Sequence, residues 1–214
     1  MTGSKEDYIK VIYELGGERN RISTKDIAHA LEISAPSVSE MLRKLAEEGV
    51  LQYEIYKGVM LTEKGVKEAV RIKKVHILWE VFLVEKLGYD LADVHQEAEL
   101  LEHITSKRLE EKLEEFLGYP DICPHGTPLN HDEYLFDYLP LSRIKTGEVV
   151  TLKRFKDDKK FLKEIKSLHL NLEDKLRIYA YNAKNRTYKV LVNEEEIEIS
   201  ADQASKIYVF KDNN

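Results

Sequence analysis

A chain of 214 residues has room for one large domain or two to three small ones, and its 43% hydrophobic and 34% charged residues suit a globular protein. No apolar run approaches the roughly 20 residues needed to span a bilayer, and no signal peptide precedes the first charges at Lys5, Glu6 and Asp7. The lone cysteine, Cys123, excludes an internal disulfide and fits a reducing compartment, so a cytoplasmic protein is expected.

In KEDYIKVIYEL, residues 5–15, Tyr8, Ile9, Ile12, Tyr13 and Leu15 recur at helical spacing. Ser23 or Thr24 suits the cap of a helix running to Leu31. Ser34 suits the cap of another, with Pro36 in its first turn and Gly49 just past its end. Two short apolar runs flank Lys57-Gly58 and predict a hairpin. Thr62 opens a helix expected to run past Leu78 until Gly88 interrupts it, and a further helix is expected over 91–104. Residues 118–145 hold four of the five prolines and predict a loop-rich connection. Beyond it come five strand-like runs, at Glu148, Lys175, Thr187, Glu196 and Lys206, with one helix over Phe161–Leu168. They suggest a small β-barrel.

The order helix, helix, tight turn, helix, hairpin is that of a helix-turn-helix with a wing. Its second helix would enter the major groove by its first residues, here Ser34, Ala35, Pro36, Ser37, Ser39 and Glu40. Small side chains permit close approach, and hydroxyls and helix-start N–H groups suit phosphate oxygens. Arg43 and Lys44, further along, and Lys57 at the hairpin tip would add phosphate contacts. Residues 1–74 hold 13 Lys and Arg against 12 Asp and Glu, so two copies acting on a two-part site would be needed for firm binding.

The net charge of −6 is unevenly spread: residues 80–137 hold 4 Lys and Arg against 15 Asp and Glu. Within this acidic middle, His95, Glu99, Glu102 and His103 fall within roughly 100° of one helix face. Carboxylates so gathered repel one another and resist ionisation unless a cation neutralises them. Asp7 would join Glu99, Glu102 and His103 if the first helix docks here, giving an oxygen-rich set that favours Mn²⁺ or Fe²⁺. His76 and Glu80, one turn apart, form a second set with His95. Cys123-Pro-His125 offers a thiol and an imidazole two residues apart. Glu110, Glu111, Glu114 and Glu115 read as a solvated acidic surface. Leu78, Trp79, Val81, Phe82, Leu83 and Leu87 exceed what one helix face buries, and part of the run is expected at a two-fold interface.

The motifs KEDYIKVIYEL, SAPSVSEMLRKLAEEG, KGVMLTEKG, HILWEVFLVEKLG, HQEAELLEH and CPHG resemble, over essentially the whole chain, the diphtheria-toxin-repressor family of metal-dependent transcriptional regulators. The likeness is greatest to its manganese-responsive members with an added SH3-like, FeoA-like domain. The resemblance implies an α+β protein. It has a winged-helix DNA-binding domain at 1–73, a helical dimerisation and metal-binding domain at 74–138, a linker at 139–145 and an SH3-like domain at 146–214.

It further implies a primary metal site of Asp7, Glu99, Glu102 and His103, and an ancillary site of His76, Glu80 and His95. A second site would use Glu80, Cys123, His125 and either Asp157 or Asp158. Oxygen donors at Asp7 and Glu99, where iron-responsive members carry sulfur, favour Mn²⁺ with Fe²⁺ next. Zn²⁺ and Cd²⁺ are expected as occupants in vitro. Lys10 stands where two-domain manganese regulators have a ligating Glu, and an ammonium cannot ligate a metal. A homodimeric repressor of metal-uptake genes on double-stranded operator DNA is expected, and not an enzyme. A winged-helix regulator answering to an organic ligand, with the acidic cluster structural, is the alternative.

Overall fold

The computed structural model describes residues 5–128, 138–193 and 195–211. The chain divides into two compact units: residues 1–79 with 99–113, and residues 80–98 with 114–214. Three helices therefore cross a unit boundary.

In the first unit α1 (Lys5–Glu14), α2 (Thr24–Ala30) and α3 (Ala35–Glu47) precede an antiparallel hairpin, β1 (Leu51–Glu54) and β2 (Gly58–Leu61). The Ser23 hydroxyl accepts from Asp26 N–H, and Ser34 does the same for Ser37, so each caps its helix as expected. Tyr8, Ile9 and Ile12 of α1 pack with Ile27, Val38, Leu42, Leu45, Val59 and Leu61 in one core. Ile22 and Val59 exchange backbone hydrogen bonds of 2.8 and 2.9 Å, tying the hairpin to the chain ahead of α2. Gly58 makes that approach possible, since a Cβ there would stand 2.4 Å from the Ile22 carbonyl and its φ is +97°.

α4 (Glu63–Leu87) runs as far as expected, and α5 (Leu91–Glu102) ends one residue before His103. α6 (Lys107–Phe116) lies where sequence gave only an acidic surface, and Glu110 within it is buried against Arg71 Nε at 3.0 Å. That carboxylate is paired, because a buried unpaired charge would be costly.

The second unit is built on β3 (Leu139–Pro140), β4 (Val149–Phe155), α7 (Lys159–Ile165), β5 (Lys175–Asn182), β6 (Thr187–Val192), β7 (Glu195–Ser200), α8 (Ala201–Lys206) and β8 (Ile207–Lys211). The strands form one antiparallel sheet in the order β3-β8-β4-β5-β6-β7. Leu152, Leu176, Ile178, Val190, Ile199 and Ile207 fill its core beneath Phe161 and Leu162 of α7. All five expected strands are present. The expected closure is not, for among the described residues the edge strands β3 and β7 do not pair with each other. Mixed helix and sheet is thus the observed class. α8 and β3 leave no periodic signal in the sequence, the first being six residues long and the second two. Strand alternation predicts pairing surfaces and not whether the last strand meets the first.

Candidate metal centres and nucleic-acid interface

The α3 N-terminus presents the chemistry expected of a recognition helix. Ser34, Ala35, Pro36, Ser37, Glu40, Arg43 and Lys44 are exposed, and Ser39 is half-buried. The Ser39 hydroxyl donates to the Ala35 carbonyl at 3.0 Å, while Glu40 pairs with Lys44 at 2.8 Å. Lys57, at the hairpin tip, pairs with Glu54 at 2.8 Å. Beside it Tyr56 is wholly exposed, with φ +68°. Nothing in the sequence singles out Tyr56, because a tyrosine in an apolar run reads as strand.

The first acidic cluster lies within the first unit. Asp7, on the first turn of α1, meets His103 just past the end of α5: Asp7 Oδ1 is 2.9 Å from His103 Nε2. Glu102 Oε1 is 3.6 Å from the same nitrogen. Asp7, Glu102 and His103 each offer a donor atom within 4.8 Å of the others. The other ring nitrogen, Nδ1, is 2.6 Å from Glu6 Oε2. Glu6 went unremarked in the sequence, where it looks like any acid at a helix start. Its contact turns the imidazole so that Nε2 faces Asp7 and Glu102. Burial works against charge on His103, but Glu6, Asp7 and Glu102 outweigh it and raise its pKa.

Glu99, half exposed, stands outside that triplet and accepts from Lys10 Nζ at 3.1 Å. Lys10 also donates to both oxygens of the buried Glu102, at 3.0 and 3.2 Å. His76 Nδ1 lies 2.5 Å from Glu102 Oε2. The expected picture of carboxylates repelling one another without a metal is therefore corrected: a lysine already stands among them.

The second cluster lies wholly in the second unit. Glu80, Cys123 and His125, all buried, bring one donor atom each within 4.8 Å of the others. Glu80 Oε2 is 3.5 Å, and Cys123 Sγ 3.9 Å, from His125 Nδ1. Nε2 of His125 lies 3.1 Å from the Leu91 carbonyl, which orients the ring. His95 Nδ1 is 3.6 Å from Glu80 Oε1 and 2.9 Å from Asp157 Oδ2. Burial opposes the charge of Asp157, yet His95 and His125 hold its pKa below the usual carboxylate range. Asp158 faces elsewhere: it caps α7 by accepting from Phe161 N–H at 3.0 Å and pairs with Lys206 at 3.2 Å. Between the two aspartates the structure brings Asp157, not Asp158, to the histidines. Of the expected ancillary set, His76 belongs to the first unit, and Glu80 and His95 to the second.

Gly126 explains the CPHG motif. Its φ is +88°, and a Cβ would stand 2.1 Å from the Lys153 carbonyl of β4. Phe155 N–H donates to the His125 carbonyl at 2.9 Å, so the loop lies directly on β4. Gly126→Ala is expected to lift the loop and cost about 1–3 kcal/mol. Chemical denaturation should show that loss, with weaker metal uptake at Cys123 and His125 and unchanged uptake at Asp7.

The donor sets suit divalent metals. The first is oxygen-rich with one imidazole, and the second adds a thiol. The family models for the iron dependent repressor N-terminal DNA binding domain, the iron dependent repressor metal binding and dimerisation domain, and the FeoA domain match residues 1–59, 62–130 and 139–211. An uncharacterised HTH-type transcriptional regulator of Methanocaldococcus jannaschii is 42% identical over 118 residues, 55% of this chain and 94% of that one. The solved manganese regulator SloR is 38% identical, covering 99% of this chain and 100% of its own, with a TM-score of 0.71. A manganese-dependent transcriptional repressor solved with manganese is 31% identical, covering 97% and 100%, with a TM-score of 0.81.

Proposed function

The chain belongs to the diphtheria-toxin-repressor family of metal-dependent transcriptional repressors, and we propose that it represses metal-uptake genes as an operator-bound homodimer when Mn²⁺ is plentiful. The observation that carries this reading is the junction of Asp7, at the head of the DNA-binding part, with Glu102 and His103. Asp7, Glu102 and His103 hold the activating metal, with Glu99 as the fourth ligand. The metal supplies a divalent charge that α1 and the end of α5 share. Holding α1 in place fixes α3 at the angle and spacing that successive major grooves require. Operator DNA tightens metal binding in return, since linkage is reciprocal.

Mn²⁺ is favoured by the carboxylates at positions 7 and 99, and Fe²⁺ is the second candidate. Glu80, Cys123, His125 and Asp157 form the second site, and His95 joins it, which their mutual proximity supports. Ser34, Ala35, Pro36, Ser37, Ser39, Glu40, Arg43 and Lys44 face DNA, and Lys57 with Tyr56 carries the wing contact.

The dimer contact is assigned to Leu100, Ile104 and Leu109, which are exposed. Of the Leu78–Leu87 run, part of which is expected at that interface, Leu78, Val81 and Leu83 are buried within the chain, and Leu87 is exposed and can join the contact. The C-terminal domain is of the SH3-like, FeoA-like kind, and its strands form an open sheet. A mobility shift on a genomic fragment library, in Mn²⁺ against EDTA, tests the function. Fragments retained only with Mn²⁺ support it, while equal retention in EDTA favours a regulator that answers to another ligand.

A further inference from the structure

Lys10 is a cation among the first cluster's carboxylates, and its charge does not depend on protonation of an imidazole. Its side chain is only 11% exposed and reaches both Glu99 and Glu102. Glu102 is 1% exposed. A carboxylate so stripped of water must be neutralised or lose its charge. Lys10 meets that need by a cation carried on the chain itself.

The same contacts oppose a metal. Glu102 Oε1, which accepts from Lys10 at 3.0 Å, is also the oxygen that faces His103 Nε2. A divalent ion at Asp7, Glu102 and His103 would share this carboxylate with an ammonium, and two cations on one carboxylate repel. Glu99, needed as the fourth ligand, is held by Lys10 and stands outside the triplet. Full ligation therefore requires Glu99 to exchange an ammonium for the metal.

We propose that Lys10 is a tethered counter-cation that stabilises the metal-free cluster and competes with the metal for Glu99 and Glu102, so that it sets the metal concentration at which the site fills. The proposal rests on the metal reading above. A lysine with a purely structural role would behave in the opposite way, for removing it would loosen the site and weaken binding.

The test is calorimetric titration of Mn²⁺, with thermal melting in EDTA and in Mn²⁺, on the full chain in a Cys123→Ala background. Lys10→Met is expected to bind Mn²⁺ at least ~10-fold more tightly, as removal of a like charge beside the ion should allow. It should also melt lower in EDTA, with a wider gap between the EDTA and Mn²⁺ melting temperatures. Lys10→Arg, which keeps the charge, should bind within about threefold of the parent. If Lys10→Met is unfolded in EDTA, Mn²⁺ must restore its fold, and a failure to restore it counts against the proposal. Binding no tighter than the parent's overturns the role of Lys10 alone. A parent whose titration matches that of Asp7→Ala overturns the metal reading itself.

Discussion

Asp7→Ala should bind operator DNA at its metal-free level whatever the Mn²⁺ concentration, while remaining folded and dimeric. Asp7 is the donor that α1 contributes to the first triplet, 2.9 Å from His103. Its side chain is 30% exposed, so its loss leaves no cavity, and its stability cost should stay within about 1 kcal/mol. Loss of a direct ligand should exceed the roughly 10–100-fold loss in affinity that follows loss of an outer partner. Glu6→Gln would show that smaller effect, since Glu6 only orients His103. The two variants measured together by Mn²⁺ calorimetry separate a ligand from its support. An Asp7→Ala protein with unchanged Mn²⁺ dependence would remove Asp7 from the mechanism.

Cys123→Ala is expected to abolish the thiolate-to-metal charge-transfer band of the Co²⁺-loaded protein and to lower the bound metal by one ion per subunit. Asp7→Ala should leave that band intact, because Asp7 belongs to the other unit. The pH dependence follows from His125. Burial opposes its charge, but Cys123 and Glu80 outweigh it and push its pKa up to about 11. A ligating imidazole must be neutral, so metal uptake here releases a proton at neutral pH. Calorimetry in buffers of different ionisation enthalpy counts that proton. In the metal-free protein the raised pKa gives a stabilisation that is complete below about pH 6.5 and is lost as pH rises towards about 11. Metal-free His125→Ala should therefore lose less stability on going from pH 6 to pH 9 than the parent does. An equal loss would contradict the charged state assigned to His125.

The sequence made the helix-turn-helix legible because caps and turn are local: Ser23, Ser34 and Gly58 act on their own neighbours. It also made the donor residues legible, since His, Cys and carboxylates are recognisable by type. Their grouping was less so. His95 shares a helix face with Glu99 and Glu102, yet it belongs to the second unit and turns to Glu80 and Asp157 there. A helical wheel gives direction but not what lies opposite. Asp157 and Asp158 could not be ranked without knowing that Asp158 caps α7. Lys10 was visible as a departure from a ligand pattern. That it reaches across 89 residues to Glu99 depends on packing that no local signal encodes. Glu6 and the buried Glu110 were hidden for the same reason: an acid's partner on a distant helix leaves no trace in its own neighbourhood.

The most direct measurement is fluorescence anisotropy of a labelled operator duplex titrated at fixed salt with chelator-stripped chain, then with the same chain in Mn²⁺. Binding tightened at least ~100-fold by Mn²⁺, a coupling within the range seen between linked sites, is the predicted result. Equal affinity with and without the metal would contradict it.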